Sequence, residues 1–265
     1  MKKEYYPKSF IQSLGLIFIP IFFCAPLVFI RELGWLSGTI FNITLFGIYF
    51  LALIIFYYFK NGKRIYFNFK VNKTLIPFVF IIITFQIAIY IPINIYLNSF
   101  IIPETSNVNE PLVQILSTLF AFIITAIIEE FIFRGIILKG YLINYKARKA
   151  IIISAILFGV IHLNPPQIFG AFILGLITGH VFYYSKSVAM TIILHIIYNI
   201  VALTSSLIHN NYGNYEIKTT SDFYGEHSIY FIIISLLILI FLINYIKKDK
   251  EIIIKELKSI SVKIK

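Results

Sequence analysis

Residues 111–138 read PLVQILSTLFAFIITAIIEEFIFRGIIL, an apolar run that is interrupted by three charged residues. A helix needs about 20 residues to cross a bilayer, so this run is long enough to span one. The charged residues are Glu129, Glu130 and Arg134. Ionisable side chains are costly inside a membrane and usually serve a function there. The stretch therefore predicts a membrane-spanning helix that carries a polar functional site.

The rest of the chain repeats the apolar pattern. It has 265 residues, of which 59% are hydrophobic and 13% charged, whereas about 25% are charged in a soluble domain. Eight apolar segments can be drawn, at 10–30, 38–59, 75–98, 111–138, 150–163, 167–184, 188–208 and 229–246. The predicted fold class is all-α: a polytopic membrane bundle of about eight transmembrane helices that forms one domain over residues 1–265.

The fifth and sixth segments are predicted to form a tight helical hairpin. The fifth is short for a full span and ends at the Asn-Pro-Pro sequence of residues 164–166, where proline cannot continue a helix. In the sixth segment, small residues recur every four positions at Ala171, Gly175 and Gly179. Such a ridge lets two membrane helices approach closely.

The distribution of positive charge predicts the orientation. The formal net charge is +11, a value also found in proteins that bind nucleic acid. With a cytoplasmic N-terminus, however, 20 of the 23 Lys and Arg residues fall on the inside and two on the outside. This positive-inside asymmetry predicts that both termini are cytoplasmic and argues against a nucleic-acid partner. The lysine- and isoleucine-rich tail, residues 247–265, is either an amphipathic segment on anionic lipid or a solvated tail.

Polar residues on three separate segments can form one site. Glu130 and Arg134 are four residues apart and can pair on one helix face, and Glu129 is turned from Glu130 by about 100°. Two further spacings of four join Phe158 to His162 and His195 to Asn199. Each of these two spacings alone is typical of structural hydrogen bonding, and the Glu-Glu-x-x-x-Arg cluster alone is equally typical of charges that snorkel to the cytoplasmic interface. Together they place a carboxylate base, imidazoles and an amide donor in one constellation.

These three patterns, Glu129-Glu130-x-x-x-Arg134, Phe158-x-x-x-His162 and His195-x-x-x-Asn199, resemble the ordered motifs of the CPBP family of intramembrane peptidases. The family is also called the CAAX-protease and bacteriocin-processing or abortive-infection family. The resemblance covers about residues 111–208, the predicted catalytic core, and implies an eight-helix intramembrane endopeptidase.

The resemblance also implies a role for each motif residue. Glu129 would activate a water molecule with help from His162, and His195 and Asn199 would stabilise the oxyanion. Arg134 would orient Glu130, and Phe158 would shape the site. These roles agree with what peptide hydrolysis needs, an activated water and a stabilised tetrahedral intermediate.

The same side chains can instead hold a metal. Glu129, His162 and His195 match the His₂Glu ligand set of catalytic zinc. The sequence lacks the His-Glu-x-x-His helix motif, in which both histidines lie one turn apart. A metal-dependent and a glutamate-type mechanism therefore both stay open. His180 lies outside the three motifs and is predicted to be structural or interfacial.

The leading functional hypothesis is a peptidase that cleaves a membrane-associated peptide or protein tail in a bacterial plasma membrane. A bacterial origin, which the motif context indicates, favours peptide or bacteriocin processing or self-immunity over cleavage of prenylated CAAX proteins. The alternative is a non-catalytic membrane immunity or regulatory protein of the same fold. A transporter is disfavoured because the sequence shows no inverted repeat or pair of broken helices.

Overall fold

The computed structural model describes residues 6–18, 38–61, 67–98, 112–211, 219–248, 251 and 254–255. These residues are predominantly helical, and they contain no β-strand apart from an isolated bridge between Asn68 and Ser187. The α-helices in chain order are α1 (10–18), α2 (Gly38–Asn61), α3 (Leu75–Phe85), α4 (Ile91–Asn98), α5 (Leu112–Glu130), α6 (Lys139–Asn144), α7 (Ala147–Val160), α8 (Pro165–Ser185), α9 (Val188–Asn211), α10 (Thr220–Tyr224) and α11 (Ser228–Lys248). Two π-helical segments join neighbouring helices: π1 (Gln86–Tyr90) links α3 to α4, and π2 (Phe131–Leu138) links α5 to α6.

Five helical stretches in the described part of the chain are long and apolar enough to cross a membrane. They are Leu75–Leu97, Ile115–Asn144, Gln167–Ser185, Val188–Leu207 and Ser228–Lys248. The predicted all-α, multi-pass membrane fold is thereby confirmed. Helix α2 contains a shorter apolar helix, Gly47–Phe59, and α7 has 14 residues, in agreement with a short fifth segment. Most of the first predicted segment lies outside the described residues, so the total of eight stays a prediction.

The fourth predicted segment extends further than the sequence indicated. It was expected to end at residue 138, but π2 and α6 carry the helix on to Asn144. The extension packs against the N-terminal residues: the Tyr141 hydroxyl lies 2.6 Å from Ser13 Oγ. A Cβ at Gly140 would lie 2.5 Å from the Pro7 carbonyl oxygen. Lys139 and Gly140, which directly follow the predicted end of the segment, begin α6, and the glycine allows residues 6–18 to approach.

The predicted α7–α8 hairpin is present. Helix α7 ends at Val160 and α8 begins at Pro165, a position where the missing N–H of proline costs the helix nothing. Between them, Leu163 adopts a left-handed conformation with φ 58°. The two helices pack closely because a Cβ at Gly175 would lie only 3.0 Å from the Ala155 Cα. Gly179 meets α7 in the same way.

Helix α9 occupies a central position in the described part of the fold. It packs against α3, α5 and α8 and against both π segments, while α7 packs against α8 and π2. Segment π2 and helices α7, α8 and α9 therefore converge on one region, and each predicted motif lies on one of them or at the end of α5.

Candidate active site

A buried ion pair forms the centre of the site. Glu130, the last residue of α5, is fully buried, and Arg134 in the first turn of π2 is 1% exposed. Arg134 Nη1 lies 2.7 Å from Glu130 Oε1, so the pairing expected from their spacing is present. Removing two charges from water is costly unless they are paired and have further hydrogen-bond partners. The neighbouring helices supply further partners for Arg134 Nη2 and for Glu130 Oε1.

Two side chains hold the Arg134 guanidinium from its other sides. Its Nη2 donates a hydrogen bond to Thr178 Oγ1 on α8, and the Thr178 hydroxyl donates to the Leu174 carbonyl at 2.7 Å. The guanidinium carbon lies 4.5 Å from the centre of the Phe158 ring, within the range of a cation–π interaction. Sequence reasoning missed Thr178. Its signal was a hydroxyl between Gly175 and Gly179, on the small-residue ridge of α8.

His195 lies between the two adjacent glutamates. Its Nδ1 is 3.0 Å from Glu130 Oε1, and its Nε2 is 3.7 Å from Glu129 Oε2. A carboxylate paired with arginine can only accept, so Nδ1 carries the proton and its N–H donates a hydrogen bond to Glu130 Oε1. The side chain of Glu129 is 26% exposed, whereas that of Glu130 is 0% exposed. The two carboxylates thus have different environments: one is locked in an ion pair and the other is accessible.

Phe158 connects the two histidines of the site. Its ring is buried, and its centre lies 5.1 Å from that of His162 and 5.7 Å from that of His195. His162 Nδ1 lies 2.8 Å from the Phe158 carbonyl oxygen, an acceptor at the C-terminal end of α7 that the helix itself does not use. That hydrogen bond fixes the proton on Nδ1 and leaves His162 Nε2 as the nitrogen available to a water or substrate.

Asn199 lies one turn after His195 on α9 but makes a different contact. Its Nδ2 donates to the Phe122 carbonyl on α5 at 3.2 Å, which ties α9 to the helix that carries the glutamates. The amide nitrogen has a second N–H that this bond does not use. The structure therefore places Asn199 on the same helix as His195, as predicted, and its observed hydrogen bond joins α9 to α5.

Gln86 on π1 is a further buried polar residue that the sequence analysis passed over. It is 0% exposed, and its Nε2 donates to the Tyr198 carbonyl at 2.8 Å. Tyr198 directly precedes Asn199, so this contact anchors the motif-bearing part of α9. The available signal was an uncharged amide inside an apolar run, a weaker indication of function in a membrane helix than an ionisable side chain.

The three predicted zinc ligands are not assembled as a set. The described residues contain no group of three or more His, Cys, Asp or Glu side chains arranged to hold a metal ion. Glu129 and His195 are neighbours, but His162 does not complete a group with them. The zinc hypothesis stays a prediction, and no step of the mechanism proposed below depends on a metal.

Comparison with known families supports the interpretation of the motifs. The sequence model of the family described as Type II CAAX prenyl endopeptidase Rce1-like matches residues 111–201. The matched range includes all seven motif residues and runs from the start of α5 into α9. No match was found among curated proteins or among solved structures. The predicted resemblance is therefore confirmed: residues 111–201 of this chain match the Rce1-like, or CPBP, family of CAAX-type intramembrane endopeptidases.

Proposed function

We propose that this protein is an intramembrane endopeptidase in which Glu129 is the general base that activates water. The proposal rests on the contrast between the adjacent carboxylates. Glu130 is enclosed by Arg134 and His195, whereas Glu129 is 26% exposed beside His195 Nε2. A general base must reach a water molecule and a substrate, and of the two carboxylates Glu129 is the one with that access.

The proposed reaction begins when Glu129 takes a proton from water. The water oxygen forms a bond to the carbonyl carbon of the scissile peptide, and the carbonyl oxygen becomes an oxyanion. His162, through its free Nε2, helps to position the water. When Glu129 returns the proton to the leaving nitrogen, the C–N bond breaks and two peptide products form.

Hydrogen-bond donors on α9 stabilise the oxyanion in this proposal. His195 donates through Nε2 when its ring carries both protons, with Nδ1–H held by Glu130. Asn199 donates through the N–H of its amide that does not bind the Phe122 carbonyl. Donors fixed in place before the reaction stabilise developing charge without a reorganisation cost. The chain of contacts from Thr178 through Arg134 and Glu130 to His195 keeps the imidazole in position.

We extend the proposal to the setting of the enzyme. The motif context and the charge distribution of the sequence favour a bacterial plasma-membrane protein with eight spans and both termini in the cytoplasm. A leader peptide or bacteriocin precursor is then the preferred substrate, in peptide processing or self-immunity. The basic tail is proposed to lie on anionic lipid, and residues 249–250, 252–253 and 256–265 of that tail lie outside the described residues.

The decisive experiment compares peptide termini by mass spectrometry in cells that carry the wild type or Glu129→Ala at matched protein levels. Glu226→Ala is the matched control, because it removes an exposed glutamate outside the site. New termini present in the wild type and the control but absent in Glu129→Ala would support the peptidase and identify its substrate. Identical peptide termini in the wild type, the control and Glu129→Ala would contradict the peptidase, provided that the Glu129→Ala cells keep the cellular phenotype of the wild type. That outcome would favour the non-catalytic immunity or regulatory role.

The metal question has its own test on the purified protein. Once a substrate is known, cleavage is measured before and after treatment with a chelator and again after addition of zinc. Loss of activity followed by zinc-specific recovery would support a metal held by Glu129, His162 and His195. Activity that survives complete removal of metal, verified by elemental analysis, would support the glutamate-type mechanism.

A further inference from the structure

A second feature of the molecule is a cavity of about 750 Å³ between α3, α8 and α11. The described residues that line it include none of the motif residues of the active site. Helix α11 packs against α3 and π1. The described lining consists of one wall from α8, one wall from α11, residues of α3 and π1, and Ile254 of the C-terminal tail. On α8 the lining extends from Phe169 to Tyr184, which corresponds to about 22 Å at 1.5 Å per residue.

The cavity is apolar along most of its length and basic at one end. Its described lining contains two residues with basic groups, His180 and Lys247, and no acidic residue. Tyr184 and Lys247 each lie one residue before the end of their helix, on α8 and α11 respectively. One full span, α9, separates these two helices along the chain, so they run in the same direction. Their C-terminal ends therefore mark the same end of the cavity.

His180 presents an unused polar atom to this end. Its Nδ1 lies 2.8 Å from the Leu176 carbonyl oxygen, which fixes the proton on that nitrogen. The free Nε2 of the neutral ring can accept a hydrogen bond from a hydroxyl group, and the protonated ring can donate one to a phosphate. A role for His180 at the membrane interface, expected from the sequence, agrees with this position one helical turn before Tyr184.

We propose that the cavity binds one acyl chain of an anionic phospholipid, with the phosphate at Lys247 and the glycerol region near His180 and Tyr184. The length of the α8 wall exceeds half of the hydrocarbon core, which is about 30 Å thick, so it can accommodate a chain from one leaflet. Tyrosine and lysine are typical of the headgroup level. A peptide is a poorer occupant because its backbone groups need hydrogen-bond partners, which apolar walls do not provide.

The headgroup part of the proposal is tested by native mass spectrometry of the purified full-length protein. Phosphatidylglycerol and phosphatidylcholine with identical acyl chains are the probes. We expect about fivefold tighter binding of phosphatidylglycerol, since one lysine near anionic lipid contributes about 1 kcal/mol. Lys247→Gln should abolish this preference. Lys248→Gln, which removes an equal charge from an adjacent residue outside the lining, should retain it.

The chain part is tested by filling the cavity. Ile173→Phe places a larger side chain on the α8 wall, which narrows the cavity and should weaken binding of both lipids. Ile238→Phe, on the exposed face of α11 outside the lining, should not weaken it. Size-exclusion profiles and thermal stability establish that the variants are folded. Equal effects of the two lysine variants, or unchanged binding in Ile173→Phe, would overturn the proposal. Diacylglycerol that binds as tightly as phosphatidylglycerol would assign the cavity to uncharged lipids and overturn the headgroup assignment.

Discussion

Glu130 Oε1 is shared by two cationic or hydrogen-bonding partners, Arg134 from its own helix and His195 from α9. This arrangement joins the buried ion pair to the proposed active site at a single atom. The ion pair compensates the charge of a buried carboxylate, and the same carboxylate oxygen fixes the tautomer of the imidazole that faces Glu129. Substitutions in this group should therefore lower the stability of the fold first, and should change the proposed chemistry because the imidazole is no longer held in position.

Arg134→Met should destabilise the protein strongly, because Glu130 would remain as an unpaired buried charge. Breaking a buried pair in this way costs about 3–5 kcal/mol. The double variant Arg134→Met/Glu130→Gln should recover most of the loss, since no buried charge remains. Unfolding in detergent measures both, with Arg148→Met as the control at an exposed arginine. A single variant as stable as the control would show that the pair does not contribute to stability.

Thr178→Val should lower the free energy of unfolding by about 1–3 kcal/mol, because it leaves a buried guanidinium N–H without its acceptor. Thr204→Val is a matched control. Both hydroxyls donate to the carbonyl four residues earlier, at 2.7 Å and 2.8 Å, but Thr204 is exposed and does not contact Arg134. Equal losses in the two variants would assign the effect to the helix and remove Thr178 from the Arg134 cluster.

The predictability of the site depends on whether a contact is local. The Glu130–Arg134 pair follows from helix geometry, and π2 begins at Phe131 without breaking it. Thr178 and Gln86 could not be assigned because their partners lie 44 and 112 residues away. Such contacts depend on which faces of two helices meet, and periodicity within one helix does not specify that. Asn199 illustrates the same limit, since its partner is a backbone carbonyl of α5.

Among the helices, α8 is shaped by the glycines along it. A Cβ at Gly170 would lie 2.2 Å from the Tyr198 hydroxyl oxygen and 2.5 Å from Tyr90 Cε2. The close approach holds α8 against α9 and the π1 region at the level of the third motif.

The end of a helix can be estimated from the end of an apolar run. The extension of the fourth predicted segment to Asn144, however, depended on packing by residues 6–18, which the run itself does not encode.

Gly170→Ala should therefore separate α8 from its neighbours and destabilise the protein by about 1–3 kcal/mol, the usual cost of overpacking. Adding Tyr198→Phe should recover part of the loss, because it removes the nearest atom. Gly47→Ala in α2 is the control, since nothing lies within 4 Å of its added Cβ. Because alanine has a higher helix propensity than glycine, Gly47→Ala should leave the stability unchanged or raise it by up to about 1 kcal/mol. Thermal unfolding of the three variants measures these effects. A Gly170→Ala variant as stable as Gly47→Ala would contradict the packing argument.

At the scale of the whole molecule, the number of spans determines the positions of the termini. Eight spans place both ends on one side of the membrane, and seven place them on opposite sides. We expect both ends in the cytoplasm because of the positive-inside asymmetry. Fusions of green fluorescent protein and alkaline phosphatase to each end test this, since the first fluoresces inside and the second is active outside. Phosphatase activity at one end alone would contradict the eight-span topology, and phosphatase activity at both ends would contradict the cytoplasmic orientation of the termini.

The location of the ion pair on one continuous helix has a consequence for biosynthesis. A nascent chain delivers α5 and π2 to the membrane before α9 has been synthesised, so His195 is not yet present. Glu130 and Arg134 can neutralise each other within that single span during its insertion, which lowers the barrier to lateral release into lipid. Among the described residues of its own helix Glu129 forms no salt bridge of this kind, and it contacts His195 only when α9 arrives. In this order of events, the charge of Glu129 is compensated last, when α9 joins the fourth predicted span in the bilayer.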